Sequence, residues 1–351
     1  MRGFLFHTAS DVTNLGVVGP VFPDGKFEYL PINNRYGLKT HSYKDMPARS
    51  KVGKTLSDFV PSYISDWSVH YDPGFEENSY TYGQPTADYP RSKVLEKLKA
   101  GDAVFFVCSL APYDKEVYAD KDAMLKKFQR GKKNKYVFGF FKVQGVARVT
   151  VLKSNPKPAA LLLGIASYQE TGEQPFDLDS ERESVKVLEE WGYVAKEGQD
   201  YKVTAEDDET PRGGEEIVLK LLEKWSEDEK KQDVLLKSGY LEIEALSGYV
   251  TEEDVKASEH YKRMKPLDWD QFILVKGNPE ASAILNKTVQ LTDGFQQYDF
   301  NLNSLGKSIL QRAHDTLRGF RWIDAASVKL LADEIGRKNP ELLVKLNLLT
   351  K

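Results

Sequence analysis

YVFGFFKVQGVARVTVL, residues 136–152, is the stretch that decides the fold of this chain. From Val143 to Val151, apolar or small side chains alternate with mostly polar ones, which is the two-residue period of a strand with one buried face. The length of the stretch predicts one long strand or a pair of strands. A second strand is predicted at residues 103–108, AVFFVC, whose apolar run follows Gly101 and Asp102 and indicates burial on both faces.

Shorter elements are predicted on both sides of these strands. Before them we expect a strand at 3–6, a hairpin with arms 17–22 and 26–32 around the turn Pro-Asp-Gly, and helices beginning near Pro90 and at Lys121. After them we expect a strand at 271–275, a helix from Pro279 capped by Asn278, a helix from Asp324 toward Gly336, and a last helix from 339–341. The sequence therefore predicts an α+β protein, with a mixed, barrel-like sheet and flanking helices.

Composition divides the 351 residues into three parts. A proline-rich stretch at 155–158 ends the first part. Residues 206–233 contain eleven acidic residues and only five basic ones. Apolar residues from Ile217 to Trp225 fall on one helical face of this acidic segment. We predict a mixed α+β core over 1–155, an acidic, mainly helical insertion over 156–255, and a C-terminal strand and helices over 256–351 that complete the core. A winged-helix shape over 184–204 is the alternative for part of the insertion.

The overall composition narrows the class of protein. The net charge of −4 and the pI of about 5.9 give no global attraction to nucleic acid, so any such contact must be a local basic patch. The single cysteine, Cys108, excludes a disulfide framework and a thiolate zinc site, and we expect it to be buried. No signal peptide or membrane-length apolar run is seen, so we predict a cytoplasmic protein without a membrane partner. The abundance of Lys and Glu suggests a thermophile.

The candidate site is the segment VHYDPGF, residues 69–75, followed by YTYG, residues 80–83. Proline and glycines keep these residues out of helices and central strands, and loops held by a rigid scaffold are where proteins place functional groups. His70 and Asp72 project from one face of an extended segment, where a carboxylate can orient an imidazole for proton transfer. The alternative is an Asx-Pro turn, in which Tyr71 packs in the core and His70 is a satisfied turn histidine.

Two basic clusters are candidates for contact with nucleic acid. Each places cations beside aromatic rings, which suits a phosphate backbone with a base stacked next to it. The predicted nucleic-acid-binding residues are Arg130, Lys132, Lys133 and Lys135 from the cluster at 126–136, and Arg318 and Arg321 from the cluster at 310–322. The alternative for each cluster is a solvated lysine-rich loop or an arginine packed on an aromatic ring.

Other motifs of metal, nucleotide and cofactor chemistry are incomplete. No two of the five histidines have metal-ligand spacing, so no metal site is predicted, and the cofactor stays unassigned. Residues 48–55, ARSKVGKT, nearly match a phosphate-binding P-loop, but no buried strand precedes them, which leaves Arg49, Lys51 and Lys54 as phosphate contacts at most. The absence of Gly-x-Gly-x-x-Gly after a strand argues against a dinucleotide enzyme.

Several short motifs, taken in order, resemble the family called nucleotide modification associated domain, type three. They are GVVGPVFPDG at 16–25, HYDP at 70–73, YG at 82–83, GDAVFF at 101–106, and the glycine-punctuated strand at 138–149. The resemblance covers mainly the first 155 residues, and the last 80 are taken as part of the same unit. The first strand, ending in FHTA at 6–9, is less basic than the family pattern, so it receives no predicted role. A looser similarity to PUA-like barrels rests on the strand after Gly101 and the strand at 136–149.

The resemblance implies a link to modified bases in DNA or RNA, with nucleic acid or a nucleotide as partner. In the enzyme hypothesis, His70 is the acid or base, Asp72 orients it, and Tyr71 or Tyr82 stacks on the base. The predicted substrate-binding residues are Asp24, Arg49, Tyr71, Tyr80 and Tyr82. Arg49, Arg318 and Arg321 are predicted to hold phosphates.

Two alternatives involve no catalysis. In a non-catalytic, PUA-like reader the aromatic rings form a cage and no proton is transferred. In a scaffold, the acidic helical insertion binds another protein. The nucleic-acid hypotheses require that the turn after Trp67 and the arginines near the C-terminus converge on one ring-walled pocket.

Overall fold

A computed structural model describes residues 1–8, 18–33, 41–50, 52–75, 79–86, 91–119, 133–153, 185–186, 189, 194–197, 200–203, 239–262, 271–296, 299–315, 317 and 319–351. Its strands are β1 Gly3–His7, β2 Gly19–Val21, β3 Ile32–Asn33, β4 Val69–His70, β5 Thr81–Pro85, β6 Ala103–Pro112, β7 Asn134–Lys153, β8 Val194–Glu197, β9 Asp200–Val203, β10 Gly239–Gly248, β11 Gln271–Gly277, β12 Ala283–Gln290, β13 Thr292–Gln296, β14 Asp299–Leu302, β15 His314–Asp315 and β16 Phe320–Ile323. Its α-helices are α1 Arg91–Leu95, α2 Lys115–Ala119, α3 Glu252–Ala257, α4 Glu259–Lys262, α5 Ser304–Leu310, α6 Ala325–Lys338 and α7 Leu343–Thr350. These elements confirm the α+β class.

Strand β7 organises the main sheet because it is paired on both edges over most of its length. Its first half lies between β6 and β12, and its second half lies between β11 and β10. The sheet continues from β6 to β1 and β16 on one side, and from β11 to β5 on the other. The long strand predicted at 136–152 is therefore confirmed, while the described sheet is mixed and open, not closed into a barrel.

Two hydrophobic cores cover the two faces of this sheet. Along β1 and β6, Phe4, Phe6 and Phe106 belong to an aromatic core on one face. Leu5 and Phe105 belong to a helical core on the other face, which α6 covers with Val328, Leu331 and Ile335. This alternation is the two-residue period of the strands. The aromatic core also contains Tyr71, Phe75 and Tyr82, and Tyr80 packs against it, so the candidate segment lies on that face. Cys108 is buried there, as predicted.

The C-terminal part completes the same sheet, with one predicted element wrong. The helix predicted from Pro279 is a single 3₁₀ turn, Pro279–Ala281, although Asn278 caps it by accepting a hydrogen bond from the Glu280 amide at 2.8 Å. The chain then continues as β12, because pairing with β7 buries Leu285 and Val289. The helix predicted after Asp324 is confirmed as α6. No helix in the described ranges is both long and apolar enough to cross a membrane.

The N-terminal predictions hold for the first strand and the turn, whereas the hairpin is shorter than predicted. The first strand is confirmed as β1, and the predicted turn at Gly25 adopts a φ of +85°, which favours glycine. The arms of that hairpin are joined by an antiparallel bridge between Val21 and Phe27, while β2 itself pairs in parallel with β6. The predicted helix at 121–130 and most of the acidic insertion lie outside the described residues. Within 156–255, β10 pairs with β7; the domain bounds themselves stay predictions.

Candidate functional site

Three side chains from separate elements meet at one carboxylate. His70 ends β4, which pairs with β3, Asp72 follows two residues later, and His260 lies on α4. Asp72 Oδ2 is 3.7 Å from His70 Nε2 and 3.7 Å from His260 Nδ1. The two imidazole ring centroids are 5.5 Å apart. The structure thus brings the predicted His70 and Asp72 together and adds His260; we call these three residues the His–Asp–His cluster.

The His–Asp–His cluster is almost closed to solvent. The side chains of His70, Asp72 and His260 are 4%, 6% and 11% exposed. Burying a carboxylate costs free energy that its neighbours must offset, so a fold gains little from such a cluster through stability alone. Buried, mutually interacting titratable groups are concentrated at functional sites. Burial and convergence together make this cluster the candidate site.

A hydrogen bond holds the backbone of Asp72, and a backbone amide lies close to its side chain. The Tyr29 hydroxyl donates to the Asp72 carbonyl oxygen at 2.8 Å, and the Gly83 amide approaches Asp72 Oδ2 at 3.5 Å. Burial, with smaller contributions from Tyr71 and Asp72, raises the pKa of Tyr29 well above its usual value. The phenol therefore stays protonated and continues to donate its hydrogen bond at neutral and moderately alkaline pH.

The glycine at position 83 makes room for His260. A Cβ on Gly83 would lie 2.6 Å from His260 Cγ, closer than real Cβ atoms come, and 3.0 Å from His260 Nδ1, which is a tight contact. Strand β5 and helix α4 can therefore approach this closely only because position 83 carries no side chain. The same residue supplies a backbone amide that approaches Asp72 Oδ2.

Replacing Gly83 with alanine is expected to push His260 away from Asp72. Overpacking of this kind costs about 1–3 kcal/mol of unfolding free energy, measurable by urea denaturation. The matched control is Gly277→Ala, where the new Cβ would meet Phe141 Cγ at 2.7 Å instead of a cluster residue. Both variants should lose stability, but only Gly83→Ala should shift the imidazole NMR signals of His70 and His260. Unmoved signals in Gly83→Ala would contradict this role of the glycine.

An ion pair fixes α3, the helix directly before the one that carries His260, to the sheet. Lys276 Nζ on β11 lies 2.6 Å from Asp254 Oδ1 on α3 and donates to the Ser79 carbonyl oxygen at 2.7 Å. A small core containing Val255 and Phe272 supports the same contact. Although burial alone would raise the pKa of Asp254, hydrogen bonds from Lys276 and the Thr251 amide lower it below its usual 3.8.

This ion pair predicts an acid-dependent loss of stability. A carboxyl group whose folded-state pKa is depressed stabilises the fold above its unfolded pKa, near 3.8 for Asp254, and this contribution is lost as the pH falls through the folded value. Asp254→Asn removes the charge and keeps an oxygen for the helix cap. Urea midpoints from pH 3 to 6 should show the wild type more stable than the variant above about pH 4, with a difference that shrinks below it. A difference independent of pH would contradict the assignment.

The three tyrosines predicted to bind substrate differ in how much of each ring is exposed to solvent. Tyr71 packs edge-on against Tyr29, and Tyr82 packs against Phe6 and Phe106; both are buried in the aromatic core. Tyr80 is partly exposed, with a left-handed φ of +42°. Burial raises the pKa of Tyr80, and Lys345 Nζ lies 5.7 Å from its ring centroid. Of these three rings, Tyr80 keeps the most open surface.

Asp24 and Arg49, also predicted to bind substrate, are engaged in local contacts. Asp24 is exposed and accepts a hydrogen bond from the Lys26 amide at 3.0 Å, which lowers the pKa of Asp24. The Arg49 guanidinium donates to the Leu285 carbonyl oxygen at 3.1 Å and lies over the Phe27 ring. Both residues therefore have a structural role in this conformation, and their role in binding stays a prediction.

The basic residues of the first cluster are partly hidden. Lys135 is 1% exposed, and its Nζ lies 2.7 Å from His7 Nε2 and 2.7 Å from Ser109 Oγ. Its position on the paired strand β7 turns it inward, so this lysine is not a surface contact for phosphates. Lys133 is partly exposed. Arg130 and Lys132 lie outside the described residues.

The predicted convergence of the C-terminal arginines with His70 is wrong for Arg321. Phe320 and Tyr82 both pack on Phe6, so they lie on the aromatic face of the sheet. Arg321, the next residue on β16, points to the opposite face, where its Nε donates to Asp315 Oδ2 at 2.9 Å. The other predicted arginine, Arg318, lies outside the described residues.

The cluster is also a candidate metal centre, which the sequence did not predict. Among the residues that the structure describes, it is the one group of three or more His, Cys, Asp or Glu side chains able to offer ligand atoms to one ion. These ligand atoms all lie within 4.8 Å of one another. His260 has no sequence signal that links it to His70, because only the packing of α4 on β5 joins them.

Comparison with known proteins supports the resemblance noted from the motifs. A family model described as nucleotide modification associated domain 3 matches residues 2–212, more than half of the chain. No curated protein and no solved structure matches this chain. The matched region contains His70, Asp72 and Gly83, whereas His260 lies beyond it.

Proposed function

We propose a function from one premise: the chain belongs to the nucleotide modification associated domain 3 family. Membership links it to nucleotide modification. The proposal is that the protein is an enzyme that processes a nucleotide of DNA or RNA at the His–Asp–His cluster. The observation that carries it is the convergence of two imidazoles on one buried carboxylate oxygen, each at 3.7 Å.

The chemistry of these three groups supports an enzyme. An imidazole can take up or release a proton near neutral pH, and a carboxylate can fix its orientation and stabilise its charged form. Proton transfer to or from a base or sugar needs a group of this kind within hydrogen-bond reach. In this proposal Asp72 is shared between His70 and His260, so both rings are oriented by the same oxygen.

The solvent exposure of the aromatic rings favours the enzyme hypothesis over the reader hypothesis. A reader needs flat ring surfaces that a base can stack on. Tyr71 and Tyr82 are buried and surrounded by other rings, so they support the site from below and do not form a cage. Tyr80, which is partly exposed, is the residue we assign to stacking on the base.

The test is a comparison of nucleosides by mass spectrometry. DNA and RNA are digested from cells with the gene, from cells lacking it, and from deletion cells that carry either wild type or His70→Ala. We expect a nucleoside difference that wild type restores and His70→Ala does not. The matched control is His314→Ala, which removes an exposed histidine on β15 and should restore like wild type.

Oligonucleotide binding separates the alternatives. Purified His70→Ala that still binds oligonucleotides, with an affinity that falls steeply as salt rises, supports an enzyme that has lost only its chemistry. Loss of binding in this variant together with normal nucleosides would support a reader. Identical nucleosides in all strains and no oligonucleotide binding by wild type would overturn the proposal and favour a scaffold.

A further inference from the structure

We infer that the His–Asp–His cluster binds a divalent transition-metal ion, with His70, Asp72 and His260 as its protein ligands. The inference deepens the proposed function and rests on it only for what the ion does to a nucleotide. The binding of the ion stands on the geometry and chemistry of the three side chains.

The donor set selects a class of ion. Two imidazoles and one carboxylate suit first-row transition ions such as Zn²⁺, Fe²⁺, Mn²⁺ and Co²⁺, whereas Mg²⁺ and Ca²⁺ prefer oxygen ligands alone. Three protein ligands leave coordination positions for water or substrate, which is the arrangement of catalytic and not of closed structural sites. The chemistry therefore points to a reactive ion.

The distances fit an ion between the ligands after a small adjustment. Two ligand atoms that each lie about 2.1 Å from a shared ion are about 3.4 Å apart at the tetrahedral angle, and about 4.2 Å apart across an octahedral ion. Asp72 Oδ2 lies 3.7 Å from the nearest ring nitrogen of each histidine, between these limits. The three ligand atoms lie within 4.8 Å of one another, so side-chain shifts of a few tenths of an ångström would close the site.

A network of direct hydrogen bonds among the three groups fits these distances less well. Such bonds between nitrogen and oxygen span about 2.7–3.2 Å. The distances from Asp72 Oδ2 to His70 Nε2 and to His260 Nδ1 both exceed that range, although both rings are packed beside this oxygen. The bare Gly83 lets His260 come this close to β5, so the backbone is shaped to hold the ring at this position. A cation between the groups would also offset the cost of burying the carboxylate.

The test is a titration of the full-length, tag-free protein with Co²⁺ after treatment with a chelator. Visible d–d absorption reports nitrogen and oxygen coordination, and equilibrium dialysis counts bound ions. We expect one ion per chain in wild type, displaced by Zn²⁺. Asp72→Asn and His260→Gln should each weaken binding by more than about 100-fold, because loss even of an outer partner of a metal ligand costs about 10–100-fold. His314→Ala should bind like wild type.

Folding and function are controlled separately. Each variant is checked by circular dichroism without metal. Gly83→Ala, which changes none of the proposed ligand residues but is expected to displace His260, should weaken Co²⁺ binding. Wild type that binds no more Co²⁺ than Asp72→Asn, or an ion retained by the ligand variants, would overturn the inference. Stoichiometric Co²⁺ binding with unchanged cellular nucleosides would overturn the proposed function and leave the metal site standing.

Discussion

Asp72→Asn is expected to lower the rate of nucleotide processing by about 10³-fold or more while leaving the protein folded. Asparagine has nearly the same shape, so the contacts of residue 72 with Tyr29 and Gly83 persist. The change removes the negative oxygen that faces both imidazoles at 3.7 Å. The carboxylate orients both imidazoles, so the variant loses this function whether or not an ion is bound. If an ion is bound, the variant also loses a metal ligand. The rate is measured by mass spectrometry of nucleosides formed per folded molecule.

Asp315→Asn is the matched control for this prediction. Asp315 is also a buried aspartate, but it lies on the opposite face of the sheet and accepts hydrogen bonds from Arg321 at 2.9 Å and Arg312 at 2.8 Å. Its loss should lower the unfolding free energy by about 1–3 kcal/mol and leave the rate per folded molecule unchanged. If Asp72→Asn processed nucleotides at the wild-type rate, the cluster would not be the reactive centre.

The sequence predicts the parts of this fold that depend on local periodicity. The alternation along residues 136–152 is long enough to identify β7, and Asp324 and the apolar spacing after it identify α6. The helix predicted from Pro279 fails because its cap is real but the residues after it gain more from pairing with β7. A local signal marks where an element starts, and tertiary pairing decides how far it runs.

The candidate site divides in the same way. His70 and Asp72 are two residues apart, so extended backbone alone brings them together. His260 reaches them only because α3 and α4 are fixed to β11 by Lys276 and Asp254, and because Gly83 is bare. The side of the sheet that Arg321 faces depends on the register of β16 on β1. A shift by one residue would reverse it, and nothing in the basic cluster itself specifies that register.

Phe106→Ala is expected to cause the largest loss of stability, about 3–5 kcal/mol of unfolding free energy. Phe106 is fully buried on β6, and its ring packs against Phe141 at 4.7 Å, Tyr82 at 5.5 Å and Phe75 at 5.6 Å between centroids. Removing it leaves a cavity beneath Phe75 and Tyr82, in the segments that carry Asp72 and Gly83. Guanidinium denaturation measures the loss, and a change below about 1 kcal/mol would contradict the packing described.

The comparison with Phe140→Ala shows why this ring concerns the site as well as the fold. Phe140 is equally buried but belongs to the helical core, on the face opposite the His–Asp–His cluster. Both variants should lose similar stability, since each deletes one fully buried ring. Only Phe106→Ala should weaken Co²⁺ binding and nucleotide processing in molecules that remain folded, because Tyr82 and Phe75 lose their support. Equal effects of the two variants on binding would mean that the cluster responds to global stability and is not positioned by the aromatic core.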